Sequence, residues 1–463
     1  MLKTLKNAWR IPELRGKLLF TLLIIVLYRL GANIPVPYVD PEVFANASAV
    51  ASGTILYYLN LLSGDALGRA TLFALGVSPY ITASIVIQLL TIAIPALERL
   101  AQQGEEGRKK ITALTRIVTV ALAFVTAIGY AMYLISYKYT VFGLKGLSKR
   151  VLIDIFKSGY GLQFFIIIAC YCAGAALVMW LAEKINESGI GNGISIILFA
   201  NIIAGLFGTV QGIWSLIFTE GGFKGFSGLG LGIGLAEIVA ILGMVMLIVW
   251  MSDAERRIPI QYAKRVVGRK MYGGQNTNLP LKVNMAGVMP IIFANSIVAV
   301  PATIASFMGE NGFTRFIERW FNYNTWPYLV IFTILLFAFA FFYVAISFNH
   351  VEVANNIKNN GGAIPGIRVG KPTVTYIRKI LNRITLLGAI IVAFIAVLPM
   401  LVIVVEYYAK GGYEVFKAGQ MQSWFGPLSF IGSSLIIVVG VALETVRELE
   451  AQMSLRNYKG FLD

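Results

Sequence analysis

At 463 residues a soluble chain would form two or three domains, but here 57% of residues are apolar, 13% are charged and mean hydropathy is +0.74. Five runs free of Asp, Glu, Lys and Arg (160–182, 188–219, 283–309, 320–349 and 418–443) each exceed the roughly 20 residues of a bilayer-crossing helix, and their continuous rather than alternating apolarity excludes both a soluble globule and a β-barrel. The net charge is +16, and roughly two thirds of the 39 Lys/Arg but only about half of the 23 Asp/Glu fall in one alternate set of loops, the asymmetry of a polytopic inner-membrane protein with a basic cytoplasmic face.

Ten spans are predicted, at 18–34, 77–97, 115–137, 160–181, 190–210, 236–252, 284–305, 327–348, 384–405 and 427–446. An even number puts both termini on one side, and Lys3, Lys6, Arg10, Arg15 and Lys17 make that side cytoplasmic. The first apolar segment follows an amphipathic stretch and lacks a small-residue cleavage site, so no cleaved signal is expected. Residues 53–76 are too polar and too Gly-broken to span, and they include Asp65 and Arg69. Two placements fit them: an amphipathic helix on the outer surface, or a short interrupted piece lining a cavity beside a full span. Ser78-Pro79 then opens the second span, with Pro in a favoured first-turn position. Polar residues stand out in two spans, Gln88 in the second and Asn295 in the seventh.

Cys170 and Cys172 lie in the fourth span, where i,i+2 side chains point apart, and read as small buried hydrophobes rather than metal ligands. Arg29 and Glu237 lie toward the outer ends of their spans, and Arg116 and Glu444 toward cytoplasmic ends. Mid-membrane is thus left without the ionisable groups that transporters place there. Residues 252–283 carry Arg256, Arg257, Lys264, Arg265, Arg269 and Lys270. Alternating Ile258, Ile260 and Tyr262, followed by Gly273-Gly274, predict a protruding hairpin-like loop. Residues 349–383 add Lys358, Arg368, Lys371, Arg378 and Lys379, and His350, the only histidine, is expected at the surface. Gly366 to Thr373 fails the spacing of a phosphate-binding loop, because Pro365 stands where the first Gly is needed and Pro372 follows the Lys. One His and scattered acids assemble no nucleophile–base pair or metal cluster, which argues against an enzyme.

Five stretches carry a resemblance. They are Ala66–Leu90 (ALGRATLFALGVSPYITASIVIQLL), Gly189–Phe199 (GIGNGISIILF), Arg256–Arg265 (RRIPIQYAKR), Leu279–Val288 (LPLKVNMAGV) and Pro365–Arg368 (PGIR). In content and order the chain resembles the SecY family, the channel subunits of the Sec protein translocon. The resemblance implies an all-α polytopic fold of ten transmembrane helices in two inverted pseudo-symmetric five-helix halves, 1–215 and 216–463, hinged between the fifth and sixth spans. It also implies a short plug half-helix at about 60–74, carrying Asp65, Arg69, Leu72 and Phe73.

In such proteins a central pore opens across the membrane and sideways to lipid, between the second and seventh spans. Gln88 and Asn295 then line that lateral gate, or else make a helix–helix hydrogen bond. The aliphatic pore ring falls on Ile81, Ile85, Ile194, Leu198, Ile292 and Ile437, with Leu198 where Ile is usual. Independently, i,i+4 spacing puts Ile81 with Ile85, and Ile194 with Leu198, on one helix face. The basic loops 252–283 and 349–383 would set topology and also dock the SecA ATPase and the ribosome, through Arg256, Arg257, Lys264, Arg265 and Arg368. Further implied are the small membrane subunits SecE and SecG, signal peptides and preproteins as substrate, membrane lipids around the gate, no cofactor, and the bacterial cytoplasmic membrane as location. The stretch 405–426 is longer than the family's usual link, and its Tyr and Trp suit an interfacial segment. The competing class is a secondary transporter with inverted repeats, which would need a mid-membrane ion or substrate site.

Overall fold

The computed structural model describes residues 2–39, 60, 63–136, 161–217, 228–262, 265–267, 270–272, 276–307, 312, 316–317, 320–321, 325–409 and 431–459. Lys264 and most of the 405–426 segment lie outside these residues. In chain order the elements are α1 (Leu2–Arg10), α2 (Pro12–Gly31), α3 (Ser78–Ala93), α4 (Pro95–Ala101), α5 (Glu105–Ser136), α6 (Gly161–Ser188), α7 (Gly193–Ile217) and α8 (Gly228–Asp253). After α8 come β1 (Glu255–Tyr262), β2 (Arg265–Val267), β3 (Lys270–Tyr272), β4 (Asn276–Lys282), α9 (Met289–Phe307), α10 (Trp326–Ser347), α11 (His350–Asn359), β5 (Gly362–Ala363), α12 (Lys371–Ala409) and α13 (Ile431–Lys459). A helix thus stands at each predicted span. By length and composition Glu105–Met132, Gly161–Ser188, Gly234–Asp253, Trp326–Asn359 and Lys371–Ala409 can cross a membrane, and α3 with α4 makes a sixth if that bent pair is one span.

Prolines punctuate these helices as chain stereochemistry requires. Pro12, Pro79, Pro95 and Pro327 each sit in the first turn of a helix, where their missing N–H costs nothing. Pro95 also forces Ile94 into an extended conformation, and the chain turns by 105° between α3 and α4. At 39 residues, α12 is about 58 Å long at 1.5 Å per residue, roughly twice the thickness of a hydrocarbon core.

The helices pack in two groups. In the first, α5 packs on α3 and α6, and α6 on α2 and α7. In the second, α10 packs on α9 and α12, and α13 on α8 and α12. The groups meet where α7 contacts α8 and α13, and again where α9 contacts α3 and α5. Helix α1 lies on α13, with Ala8, Leu14, Ile190 and Leu449 buried together and Thr4 Oγ1 donating to Glu450 at 2.9 Å, so the two ends of the chain adjoin.

Between α2 and α3 the resemblance predicts a half-helix at about 60–74; Asn60 and Ser63 are helical, but the helix does not continue beyond them. Residues 64–77 run as successive turns, tied by a single bridge between Pro35 and Thr71. Positive φ at Gly64, Asp65, Ala70 and Gly76 reverses the backbone too often for a helical ladder to propagate.

The predicted hairpin forms, but it is one part of a larger body, and to that extent the chain is not all-α. Strands β1 and β4 pair antiparallel from Glu255↔Lys282 to Gln261↔Asn276, and β2 pairs with β3 at the tip. On the other edge of β1, Gln261 and Tyr262 pair with Ala363 and Gly362 of β5, giving the order β4-β1-β5. Ile258, Ile260 and Leu281 of the sheet bury against Ala354 and Ile357 of α11, Ile364, and Ile377, Leu381 and Ile384 of α12. The two long basic loops therefore share one hydrophobic core.

Candidate functional site: an apolar junction under a tied-down turn segment

Four helices converge at the centre. Helix α3 packs on α9, α9 on α13, and α13 on α7. Their apolar faces merge in one cluster in which Ile81, Ile85, Leu198, Ile292 and Ile437 are buried, with Ile194 half-buried against it. All six predicted ring positions are therefore brought together. Every side chain in the set is aliphatic, so the junction offers a polar solute no hydrogen bond.

The turn segment covers this junction and divides its side chains between two cores. Ala66, Phe73 and Val77 enter the central cluster, and Leu72 packs against it. Leu67, Ala70 and Ala74 face the other way, into a second core with Ala127, Tyr130 and Ala131 of α5 and Phe164, Ile167 and Tyr171 of α6. Two glycines make room: a Cβ on Gly31 would run into the Phe73 ring, and one on Gly174 into the Leu72 carbonyl. Buried tyrosines satisfy the segment's backbone. The Tyr130 hydroxyl donates to Leu67 O at 2.6 Å and that of Tyr171 to Ala70 O at 3.4 Å. Asp65 and Arg69 are both exposed with separate partners: Asp65 accepts from Asn60 Nδ2 at 2.9 Å, and Arg69 donates to Asn33 Oδ1 at 3.4 Å.

At the seam between the two groups, Gln88 is half-buried and donates to Ser84 Oγ of its own helix at 3.1 Å. Asn295 is 2% exposed, and neither side-chain amide atom has a hydrogen-bond partner among the described residues.

On the sheet-bearing body Arg256, Arg257 and Arg368 are all exposed, and Arg265 is the first residue of β2. Arg257 pairs locally with Glu255, Nε to Oε1 at 2.6 Å. Arg368 sits between Gly366 and Gly370, whose φ values of 80° and 108° suit glycine alone, and its carbonyl accepts from Thr373 Oγ1 at 2.9 Å. The body is joined to the helices at its base: Arg447 of α13 bonds Asp253 at 2.8 Å and also the Ser252 carbonyl. Burial, then the nearby Arg447 guanidinium, lowers the Lys282 pKa below the usual ammonium range.

Three charged residues placed by sequence at span ends have surroundings that the sequence did not indicate. Arg116 of α5 pairs with the buried Glu183 of α6 at 2.9 Å. Glu237 is 1% exposed, with no hydrogen-bond partner for either carboxylate oxygen among the described residues. Arg29 bonds three backbone carbonyls. Both i,i+4 periodicity and charge counting are blind to such contacts.

An apolar junction inside a helical bundle with several candidate membrane spans, joined to a basic sheet-bearing body, fits the class of membrane channels. The comparisons agree. Residues 71–446 match the family model SecY. The protein translocase subunit SecY of Streptomyces galbus is 43% identical over 469 aligned residues, covering 100% of both chains. Among solved structures, a protein-conducting channel superposes with a TM-score of 0.59 at 19% identity, covering 94% of this chain and 92% of the other. Canine Sec61 from a ribosome–channel complex of the endoplasmic reticulum gives a TM-score of 0.52 at 16% identity, over 94% and 92%. The chain belongs to the SecY family of protein-translocation channels.

Proposed function

We propose that this chain is the central pore subunit through which signal-bearing preproteins cross the bacterial cytoplasmic membrane and from which membrane proteins pass sideways into lipid. The observation that carries the reading is the convergence of Ile81, Ile85, Ile194, Leu198, Ile292 and Ile437 from four helices onto one apolar cluster that Phe73 also joins. A flexible aliphatic ring seals against ions by dewetting, yet gives a sliding polypeptide no strong site to bind. Residues 63–77 act as the plug, all ten helices at the predicted positions span, and the two helix groups are halves that hinge at α7–α8. The seam between α3 and α9 is the lateral gate, and the unpartnered Asn295 amide makes its closed form a high-energy contact.

The pore itself is passive. Energy comes from SecA or from the translating ribosome, docked on the basic body with Arg256, Arg257 and Arg368 outward on the cytoplasmic side; Lys264, outside the described residues, and Arg265 are assigned to the same docking. The ribosome-bound canine relative supports that half of the reading. SecE and SecG complete the complex, both termini are cytoplasmic, and no cofactor is required. To test this, the chain is reconstituted with SecE and SecG and supplied with SecA and a signal-bearing preprotein. ATP-dependent protection of the preprotein from added protease is expected, and no protection in the presence of ATP contradicts the proposal.

A further inference from the structure

The geometry points to Arg29 as the positioning residue that latches residues 63–77 onto α7 and so holds the channel closed. This deepens the reading of that segment as the plug, and it rests on that reading. Arg29 lies in the last turn of α2, where a side chain on the outer part of a span would ordinarily reach for water. It turns inward instead. Nη1 donates to the Gly64 carbonyl at 3.2 Å, while Nη2 donates to the carbonyls of Ala200 at 2.5 Å and Asn201 at 3.4 Å. One guanidinium thus joins three elements: α2, the turn segment, and α7 just beyond Leu198. Lysine cannot replace it, because an ammonium lacks the planar fork that addresses carbonyls on two sides at once.

The surroundings are built for this bridge. Gly64 has φ 65°, and a Cβ there would lie 2.7 Å from Arg29 Nη1 and 2.9 Å from Asn201 Oδ1. Asn201 Nδ2 donates to the Tyr28 hydroxyl at 2.8 Å, and the Tyr28 ring stacks on Phe73 with centroids 5.4 Å apart. Asn33 Nδ2 donates to the Arg29 carbonyl at 2.8 Å, while its Oδ1 accepts from Arg69. Tyr28 and Arg29 in the last turn of α2, with Asn33 two residues beyond its end, therefore grip the segment by its ring, its first turn and its outer edge. Two of the three Arg29 acceptors belong to α7, so the arginine keeps its seat when the segment leaves, and only the Gly64 bond is broken. Because the acceptors are main-chain carbonyls, the latch constrains conformation at Gly64.

The test is hydrogen–deuterium exchange on the channel complex with SecE and SecG in lipid nanodiscs, together with single-channel conductance. Arg29→Gln and Gly64→Ala should each speed exchange across 63–77 by about tenfold, as expected for losing one charge-assisted hydrogen bond, while α5, α6 and α7 keep their protection. Arg29→Lys, which retains the charge, should resemble Arg29→Gln. Unchanged exchange across 63–77 in both Arg29→Gln and Gly64→Ala overturns the latch, and so does acceleration that spreads equally through α6 and α7. Faster exchange with a raised resting ion conductance supports latch and plug together. Faster exchange without any leak supports the latch and contradicts the reading of the segment as a plug.

Discussion

Single side chains decide whether the central junction seals. Ile292 is buried in the aliphatic cluster, and an amide there would be left without partners, at about 1–3 kcal/mol. Ile292→Asn should therefore loosen the closed ring, raise resting ion leak in planar bilayers and relax the requirement for a signal sequence. An unchanged leak with unchanged selectivity removes Ile292 from the ring. Asn295, one turn further along α9, is the opposite case, a buried amide with no hydrogen-bond partner among the described residues. Asn295→Leu relieves that penalty and should favour the closed seam by about 1–3 kcal/mol. Membrane insertion through the lateral gate should slow, measured as the yield of an inserted reporter helix, and faster insertion would contradict the assignment.

At the scale of elements, the sheet-bearing body behaves as one unit because β5 ties the second basic loop to the first through Gln261↔Ala363 and Tyr262↔Gly362. Its core depends on α12: Ile377 is fully buried against sheet and α11. Ile377→Ala should destabilise the body by about 2–5 kcal/mol through lost burial and the cavity left behind. Limited proteolysis should then cut within 252–283 and 349–370 together, and cleavage of one loop alone would show that they are not one unit. Arg368→Glu touches no core residue, since its side chain is exposed on a loop shaped by Gly366 and Gly370. That substitution should cripple SecA-driven export while the protein still inserts and keeps its protease-resistant core. Normal export would remove Arg368 from the docking face.

Over the whole molecule, legibility followed the range of the interactions. The helices at the ten predicted positions were readable because run length is a local property, and Ile81 with Ile85 because four-residue spacing is too. The β1–β4 hairpin announced itself through Ile258, Ile260 and Tyr262. Its partner β5 did not, since two residues about a hundred positions away leave no periodic trace. The half-helix that the resemblance implied gives way to turns from residue 64 on, where positive φ at Asp65 and Ala70 breaks helical geometry in a way that residue pattern does not announce. What holds the segment is equally invisible in sequence: hydroxyls of Tyr130 and Tyr171 and the guanidinium of Arg29 all bond main-chain oxygens. Whether a polypeptide threads the aliphatic junction is decided by site-specific photo-crosslinking. A preprotein stalled in the reconstituted channel should form adducts with photoreactive residues placed at Ile85, Ile194, Ile292 and Ile437. It should form none at Leu242 and Met246, which are exposed on α8. Adducts at Leu242 and Met246 with none at the four ring positions would contradict the account.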